Sequence, residues 1–150
     1  MAKRLCIIPC GKRKVWDKYP ALSSVDAEKA YIGIFHKLCQ KYARTFFDTW
    51  VILSAKHGWL LPEDEVPGNY DLTFNLKGES GISKEKLLEQ AISKNILHID
   101  EVVVLGGKKF QPIVNFVFKD IKVTFPLKGC RGIGEMQQQL KSAIMMKKEI

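Results

Sequence analysis

The chain contains four short apolar runs, each followed by a turn of small or charged residues and then by a segment long enough for a helix. The runs are Leu5–Pro9, Trp50–Leu53, Glu101–Leu105 and Ile121–Phe125. Continuous apolar runs of this length are typical of strands that are buried on both faces of a sheet. Strands that alternate with helices predict parallel pairing with right-handed crossovers. We therefore predict an α/β fold, a three-layer sandwich with a mainly parallel four-stranded central sheet and helices on both faces.

Four helices are predicted between and after these strands. They lie within Asp26–Phe47, from Ser83 to about Leu97, from about Lys109 to Lys119, and from about Glu135 onward. The first has an apolar stripe at helical spacing, formed by Ile34, Phe35, Leu38, Tyr42, Ala43 and Phe46. Gly33 is an alternative start of this helix. Ser83 suits the N-cap of the second helix, whose predicted inward residues are Leu87, Leu88, Ala91 and Ile92.

Composition predicts one globular domain over residues 1–150 in a reducing compartment. A hydrophobic fraction of 46% in 150 residues is sufficient for a full-sized core. Because no apolar segment approaches the ~20 residues that span a bilayer and no signal-peptide pattern opens the chain, we expect a cytoplasmic protein with no membrane partner. The four cysteines are scattered, which favours free thiols. The net charge of +8 favours anionic partners, although solvated lysines explain it as well.

Glycines and cations are concentrated in the turns that follow the predicted strands. The four turns are Cys10-Gly11-Lys12, Ser54–Gly58, Gly106-Gly107-Lys108 and Gly129–Gly134. Because the carboxyl ends of parallel strands meet at one edge of a sheet, these turns are expected to converge. Glycine lets backbone N–H groups approach an anion, and a helix N-terminus adds a positive dipole end. We predict a phosphate site at this edge, with charges from Lys12, Lys56, Lys108 and Arg131.

This phosphate site does not rest on a known nucleotide motif. Each turn taken alone is explained equally well by the backbone geometry that glycine permits. The chain has neither a dinucleotide fingerprint nor a Walker A sequence.

The segment from Trp50 to Phe74 carries the strongest candidates for catalysis, because it passes from a buried strand into a long loop without a helix. His57 follows the strand directly, and Lys56 beside it disfavours protonation of the ring. A neutral imidazole there can stabilise an anion or move a proton. A histidine that only caps the loop is an equally good interpretation. Asp71 is preferred over the acidic residues earlier in the loop, because its aromatic and aliphatic neighbours are expected to hold it against the core.

Nucleophilic and metal chemistry have weaker support. Ser54 belongs to the same turn as His57 but lacks the G-x-S-x-G sequence of a serine hydrolase. Cys10 beside cations can pair with His57 as a nucleophile, although a small buried residue is the commoner case. Two further residues, His36 and Cys39, do not complete the short-spaced pairs of a structural zinc site. We therefore expect no metal and no cofactor.

Five segments read CIIPCGKRK, AYIGIFHKLCQKYA, VILSAKHGWLLPEDEVPGNYDLTF, VVVLGGKKF and FPLKGCRGIGEMQQQL, and together they cover nearly the whole chain. They resemble a widespread, largely uncharacterised bacterial and phage family of small α/β domains. The core is also distantly similar to a domain attached to archaeal tRNA-guanine transglycosylase-type enzymes, which has been likened to the uracil-DNA-glycosylase fold. This chain departs from the family pattern at Trp59 and at Phe110, where an aromatic residue with a hydroxyl is expected. The resemblance marks Cys10, Lys12, Tyr31, Ser54, Lys56, His57, Gly58, Tyr70, Asp71, Gly106, Gly107 and Gly132.

Two functions are consistent with these residues. The first is an enzyme that acts on a nucleoside, a nucleotide or a nucleic-acid base by cleavage or transfer at an N-glycosidic bond. That reaction develops positive charge on the sugar and negative charge on the departing base. Asp71 is then expected to stabilise the sugar, and His57, with Ser54 beside it, the base. The expected binding residues are Cys10, Gly11, Lys12, Tyr31, Lys56, Tyr70, Gly106, Gly107, Arg131 and Gly132.

The second function is a non-catalytic module that binds nucleic acid or a nucleotide on the same basic edge. The two functions differ in arrangement. An enzyme needs His57 and Asp71 to face one enclosed pocket, whereas a binding module needs cations spread over an open face. The sequence leaves the substrate and the oligomeric state open.

Overall fold

The computed structural model describes residues 3–74 and 81–150, and strands and helices alternate along that part of the chain. In chain order the elements are β1 (Arg4–Pro9), α1 (Val15–Lys18), β2 (Val25–Asp26), α2 (Ala27–Ala30), α3 (Ile34–Phe46), β3 (Thr49–Ser54), β4 (Gly58–Leu60), β5 (Glu65–Val66), α4 (Lys84–Ser93), β6 (Glu101–Val104), α5 (Gln111–Val117), β7 (Lys122–Thr124) and α6 (Ile133–Met146). A 3₁₀ turn at Lys108–Phe110 precedes α5. None of the described helices is both long and apolar enough to cross a bilayer.

The main sheet has five strands in the order β4-β3-β1-β6-β7. The central strand β1 pairs in parallel with β3 on one side and with β6 on the other, and β7 continues in parallel beside β6. The edge strand β4 is antiparallel to β3. A separate two-stranded antiparallel sheet is formed by β2 and β5. The fold is therefore mixed α/β with a mainly parallel sheet.

The main sheet has five strands where four were predicted, because the sequence analysis missed β4. This strand has only three residues, Gly58 to Leu60, and it begins directly after the turn that ends β3. Its central residue Trp59 is buried, with its ring edge-on to that of Phe118 at a centroid distance of 5.4 Å. A strand this short gives no apolar run or alternation that sequence periodicity can detect. The four predicted strands all form, and β7, in which Lys122 and Thr124 alternate with apolar residues, lies at the edge of the sheet.

Side chains of β1 alternate between two hydrophobic cores. Cys6 and Ile8 join buried residues of α3 and α6 in one core. Leu5 and Ile7 join buried residues of α4 and α5 in the other. Because successive side chains of a strand point to opposite faces of its sheet, helices pack against both faces of β1.

Helix starts were predicted better than helix faces. Gly33 immediately precedes α3, and Ser83 caps α4, where its hydroxyl accepts a hydrogen bond from the backbone N–H of Lys86 at 3.1 Å. Two residues that were predicted to face inward do not. Ile34 and Ile92 are 66% and 63% exposed. Spacing along a helix defines an apolar stripe but leaves its outer limits open, and these two residues lie beyond them.

Candidate functional site

A cavity of about 570 Å³ lies beyond the carboxyl ends of β1 and β6. After β1 the chain leads to β3 on one side, and after β6 it leads to β7 on the other. The strand order therefore reverses between β1 and β6, and ligands of open α/β sheets bind at such a switch point. We call this space the switch-point cavity. Its walls at the strand ends are formed by Pro9, Cys10, Gly11, Lys12, Arg13, Gly106 and Gly107.

The first turns of two long helices also border the switch-point cavity. Ile34, Phe35 and His36 come from α3, and Ile133 and Met136 come from α6. The residues before these helices are glycines, and neither helix receives a side-chain cap from the described part of the chain. The first N–H groups of a helix have no partner within the helix, so both ends offer donors and a positive dipole end toward this space.

Glycine is required where β6 enters the switch-point cavity. A Cβ atom on Gly106 would lie 2.8 Å from two ring carbons of Phe110. The phenyl ring is buried and closes the floor behind the turn, edge-on to Phe74 at 5.6 Å between centroids. Lys109, next to it, borders the same cavity. The cavity is therefore apolar on one side and carries cations on the other.

A second, more open depression adjoins the switch-point cavity. It is lined by Lys12, Arg13, Asp17, Asn69, Tyr70 and Asp71 and encloses about 600 Å³. The amide of Asn69 donates to Asp17 at 3.0 Å, which ties the loop before Asp71 to α1. We call this space the Asp71 depression. Lys12 and Arg13 border both spaces, so they form a common wall between them.

Three hydroxyl groups form a hydrogen-bonded chain beside the Asp71 depression. Ser54 is fully buried at the end of β3, and its hydroxyl lies 2.7 Å from that of Tyr70, which in turn bonds to the hydroxyl of Tyr31. The Ser54 oxygen also accepts hydrogen bonds from the backbone N–H groups of Lys56 and His57, at 3.2 and 3.0 Å. Ser54 therefore fixes the turn that carries His57. Tyr70 connects that turn to the loop that carries Asp71.

Lys14 is buried against this hydroxyl chain. Only 2% of the residue is exposed, and its ammonium lies 4.3 Å from the ring centroid of Tyr70 and 5.9 Å from that of Tyr31. The ammonium donates to the carbonyl of Lys12 at 3.1 Å. Burial lowers the pKa of Lys14, and the nearby carboxylates of Asp17 and Asp71 oppose this shift. Its contacts are those of a cation held over aromatic faces.

His57 lies on the other side of Tyr70. Its ring is perpendicular to that of Tyr70 with the centroids 5.1 Å apart. Burial lowers the pKa of His57, and the charge of Lys56 adds to the effect, so the ring is neutral at pH 7. Its Nε2 atom is buried and bonds to no residue in the described ranges. The ring is thus positioned by packing and by its backbone, with one nitrogen uncommitted.

His36 is a second buried histidine of the site, and both of its ring nitrogens are bonded. Nδ1 lies 2.9 Å from the carbonyl of Pro9, to which it donates, and Nε2 lies 2.8 Å from the Gln40 amide nitrogen, from which it accepts. Its ring also contacts Tyr31 at 4.9 Å between centroids. Burial lowers the pKa of His36 to about 4. The neutral ring joins the end of β1 to the first turn of α3.

The structure brings the predicted site residues together in two groups. One group borders the switch-point cavity and comprises Cys10, Gly11, Lys12, Gly106 and Gly107, with Gly132 at the N-cap of α6. The other surrounds Tyr70 and comprises Tyr31, Ser54, Lys56 and His57. Asp71 lies in the depression next to both groups.

Three expectations about the arrangement differ from the structure. Asp71 was expected against the core but is exposed, because only its neighbour Tyr70 turns inward. His57 does not line the Asp71 depression, since the Tyr70 ring lies beside it. The predicted cations do not border one space either. Lys12 borders the switch-point cavity, whereas Lys108 lines a separate groove beside β7, and the exposed Arg131 precedes α6.

Sequence reasoning missed three residues of the site. Arg13 and Lys14 follow the first predicted turn and were given no role, and nothing in the local sequence separates the buried Lys14 from its exposed neighbours. Its burial depends on Tyr70, which is distant in sequence. His36 was considered as a zinc ligand, and that role was rejected. A usable signal existed, because His36 and Gln40 are four residues apart and share one face of α3.

No group of three or more potential metal-ligating side chains is close enough to hold an ion within residues 3–74 and 81–150. The four cysteine thiols are free, with Cys6 and Cys39 buried and Cys10 and Cys130 partly exposed.

Comparisons with known proteins match the chain to an uncharacterised family. The model of the "Family of unknown function (DUF6884)" matches residues 5–142. The chain is 48% identical over 149 residues to the "Uncharacterized protein YfjM" of Bacillus subtilis (strain 168), and the match covers 99% of each chain. No solved structure matches the chain. The resemblance to an uncharacterised bacterial family is confirmed at this level.

Proposed function

The chain belongs to the family of unknown function DUF6884, and we propose that it binds the phosphate of a nucleotide or nucleic acid and acts on an N-glycosidic bond. The lining of the switch-point cavity is the observation that supports phosphate binding. Two uncapped helix N-termini and the side chains of Lys12, Arg13 and Lys109 surround one space at the switch point of the sheet. Backbone donors, helix dipoles and cations in this arrangement favour a phosphate group.

The proposed chemistry uses the wall that the two spaces share. A ligand whose phosphate lies in the switch-point cavity extends past Lys12 and Arg13 into the Asp71 depression. When an N-glycosidic bond breaks, the sugar gains positive charge, which the carboxylate of Asp71 stabilises. The departing base gains negative charge and is assigned to the side of the depression that Tyr70 lines, with the ring of His57 packed against Tyr70.

Calorimetric titration with nucleoside 5′-monophosphates and with inorganic phosphate tests whether the switch-point cavity binds phosphate. The double variant Lys12→Ala/Arg13→Ala removes the shared wall, and we expect it to weaken nucleotide binding by about tenfold or more, since each hydrogen bond from a charged group contributes about 1.5–3 kcal/mol. The matched control is Lys119→Ala, an exposed lysine after α5 near the start of β7. Equal affinities of the wild type and the double variant would contradict the proposed site.

Release of free base from nucleosides, nucleotides and oligonucleotides tests the chemistry. Asp71→Asn keeps the shape of the side chain and removes its charge, so we expect loss of most turnover with unchanged phosphate affinity. His57→Ala is expected to lower turnover by roughly 10²–10⁴-fold if the ring takes part in proton transfer. Turnover that survives in both variants would exclude the assigned roles.

A binding module is the second candidate, and the position of Asp71 favours it. The carboxylate is exposed in an open depression, and His57 does not line that space. An enzyme is expected to enclose its reacting groups, whereas a binding protein is not. If phosphate ligands bind and no base is released from any substrate, the protein is a binding module.

A further inference from the structure

The hydroxyl chain of Ser54, Tyr70 and Tyr31 contains one proton more than its internal bonds use. Three hydroxyl groups carry three protons, and two hydroxyl–hydroxyl bonds join them. Each of these bonds uses one proton. One O–H group therefore remains without an acceptor in the described part of the chain, whichever way the two bonds are directed.

The remaining proton belongs to a tyrosine. The oxygen of Ser54 accepts two backbone N–H groups, from Lys56 and His57, and a hydroxyl oxygen has two lone pairs. With both lone pairs occupied, Ser54 donates its own proton to Tyr70. The uncommitted O–H is therefore that of Tyr70 or of Tyr31. This assignment also leaves Ser54 without a free lone pair for nucleophilic attack.

The surroundings keep both phenols protonated. Burial raises the pKa of Tyr31 to about 12 and raises the pKa of Tyr70 further. Neither phenol ionises near pH 7, so each acts there as a neutral donor. The ammonium of Lys14 and the ring of His57 pack against Tyr70 from different directions and fix its orientation.

A second uncommitted polar atom lies next to the same tyrosine. Nε2 of His57 is buried and bonds to no described residue, and its ring is edge-on to Tyr70. Buried polar groups of proteins nearly always have a hydrogen-bond partner. Of these residues Tyr70 lines the Asp71 depression, so a ligand held in that space lies against the side chain that belongs to the hydroxyl pair.

We propose that the Tyr31–Tyr70 pair donates its uncommitted phenolic O–H to an acceptor atom of the ligand's base, a carbonyl oxygen or a ring nitrogen. This inference rests on the proposed function, because the base is assigned to that side of the depression. The cations of the switch-point cavity serve the phosphate, whereas a neutral donor suits the uncharged base. In base release the same hydrogen bond strengthens as negative charge develops on the base.

Nuclear magnetic resonance of protein labelled with ¹³C at tyrosine Cζ tests this assignment directly, with signals assigned through single Tyr→Phe variants. We expect nucleoside 5′-monophosphates to shift the signal of Tyr70 or Tyr31 and inorganic phosphate to leave both in place. The signals of Tyr19 and Tyr42 provide the internal reference. Nucleotides that bind by calorimetry without moving either phenol signal would overturn the inference and leave the phosphate site intact. If no nucleotide binds at all, the inference and the proposed function both fail.

The double variant Tyr31→Phe/Tyr70→Phe removes every phenolic proton of the pair. We expect its dissociation constant for a nucleoside 5′-monophosphate to rise about 3- to 10-fold, the usual effect of one neutral hydrogen bond, with unchanged affinity for inorganic phosphate. The control is Tyr42→Phe, which also removes a buried phenol, one that accepts from the backbone of Ile150. Thermal melts identify any loss of folding. Equal nucleotide affinities of the folded double variant and the control would contradict the proposal.

Discussion

His36 illustrates how burial changes the properties of a single residue. In an unfolded chain a histidine binds its proton near pH 6.5, whereas burial lowers the pKa of His36 to about 4. The charge of Arg44 adds to this effect, and the hydrogen bond to the carbonyl of Pro9 opposes it. Between these two pH values the unfolded state binds more protons than the folded state, so the free energy of unfolding decreases as the pH falls. His57, whose pKa is also lowered, acts in the same direction.

The expected loss of stability between pH 7 and pH 4 from His36 alone is about 3 kcal/mol, and it levels off below pH 4. Urea denaturation across this pH range measures it. His36→Asn keeps a donor toward Pro9 and removes the titrating ring, so its pH dependence should be flatter than that of the wild type. The exposed His98 provides the control variant His98→Asn. A wild-type slope in His36→Asn would contradict the assignment.

The four thiols should fall into two classes of reactivity. Burial raises the pKa of Cys6 and of Cys39, and both residues are inaccessible in the folded protein, whereas Cys10 and Cys130 are partly exposed. Because the thiolate is the reacting species, an aromatic disulfide reagent should label Cys10 and Cys130 first and the buried pair only after denaturation. The absorbance of the aromatic thiolate released from the reagent gives the number of cysteines labelled. Rapid labelling of the native double variant Cys10→Ser/Cys130→Ser would show that the core opens readily.

At the scale of elements, α4 holds the turn between β3 and β4. The side chain of Gln90 accepts from the backbone N–H of Trp59 at 2.9 Å and donates to the carbonyl of His57 at 3.0 Å. Gly58, between these residues, has a φ of +78°, which side chains rarely permit. A Cβ atom there would lie 2.1 Å from the amide oxygen of Gln90. The turn that carries His57 is therefore shaped by a helix that lies later in the chain.

Gly58→Ala should destabilise the protein by about 2–6 kcal/mol, since backbone strain and the clash with Gln90 each cost about 1–3 kcal/mol. Chemical denaturation measures the loss of stability. The substitution should also lower base release or ligand affinity, because His57 moves with the turn. Gly129→Ala is the matched control, because a Cβ atom there meets nothing within 4 Å. Similar stabilities of the two variants would contradict this account.

Elements with long apolar runs were predictable from the sequence, and those held by distant contacts were not. The four parallel strands and the cap at Ser83 follow from local composition. The short strand β4 does not, because its formation depends on Gln90 of α4 and on the packing of Trp59. The convergence of Lys12 with the glycines of two turns at one edge of the sheet was predicted, but the burial of Lys14 and the exposure of Asp71 were not. Both depend on how Tyr70 packs onto the end of β3, which no local pattern specifies.

At the scale of the whole molecule, ligand binding and folding are linked. A ligand that binds only the folded state raises the free energy of unfolding by about 2.7 kcal/mol at a concentration of 100 times its dissociation constant. We expect nucleoside 5′-monophosphates to raise the melting temperature, and added salt to reduce the effect because the chain has a net charge of +8. Thermal melts at low and high salt measure both. A nucleotide shift that is independent of salt would show that the cations do not bind the phosphate.

The position of β1 in the sheet has a consequence for synthesis of the chain on the ribosome. This strand is translated before both of its partners, since it pairs with Thr49–Leu53 on one side and with Glu101–Val104 on the other. Until both partners have left the exit tunnel, the nascent chain carries an apolar strand with at least one open edge. Such edges pair readily with other chains. Translation products that stop before Glu101 should therefore aggregate or require chaperones, because both edges of β1 are paired only after β6 has been synthesised.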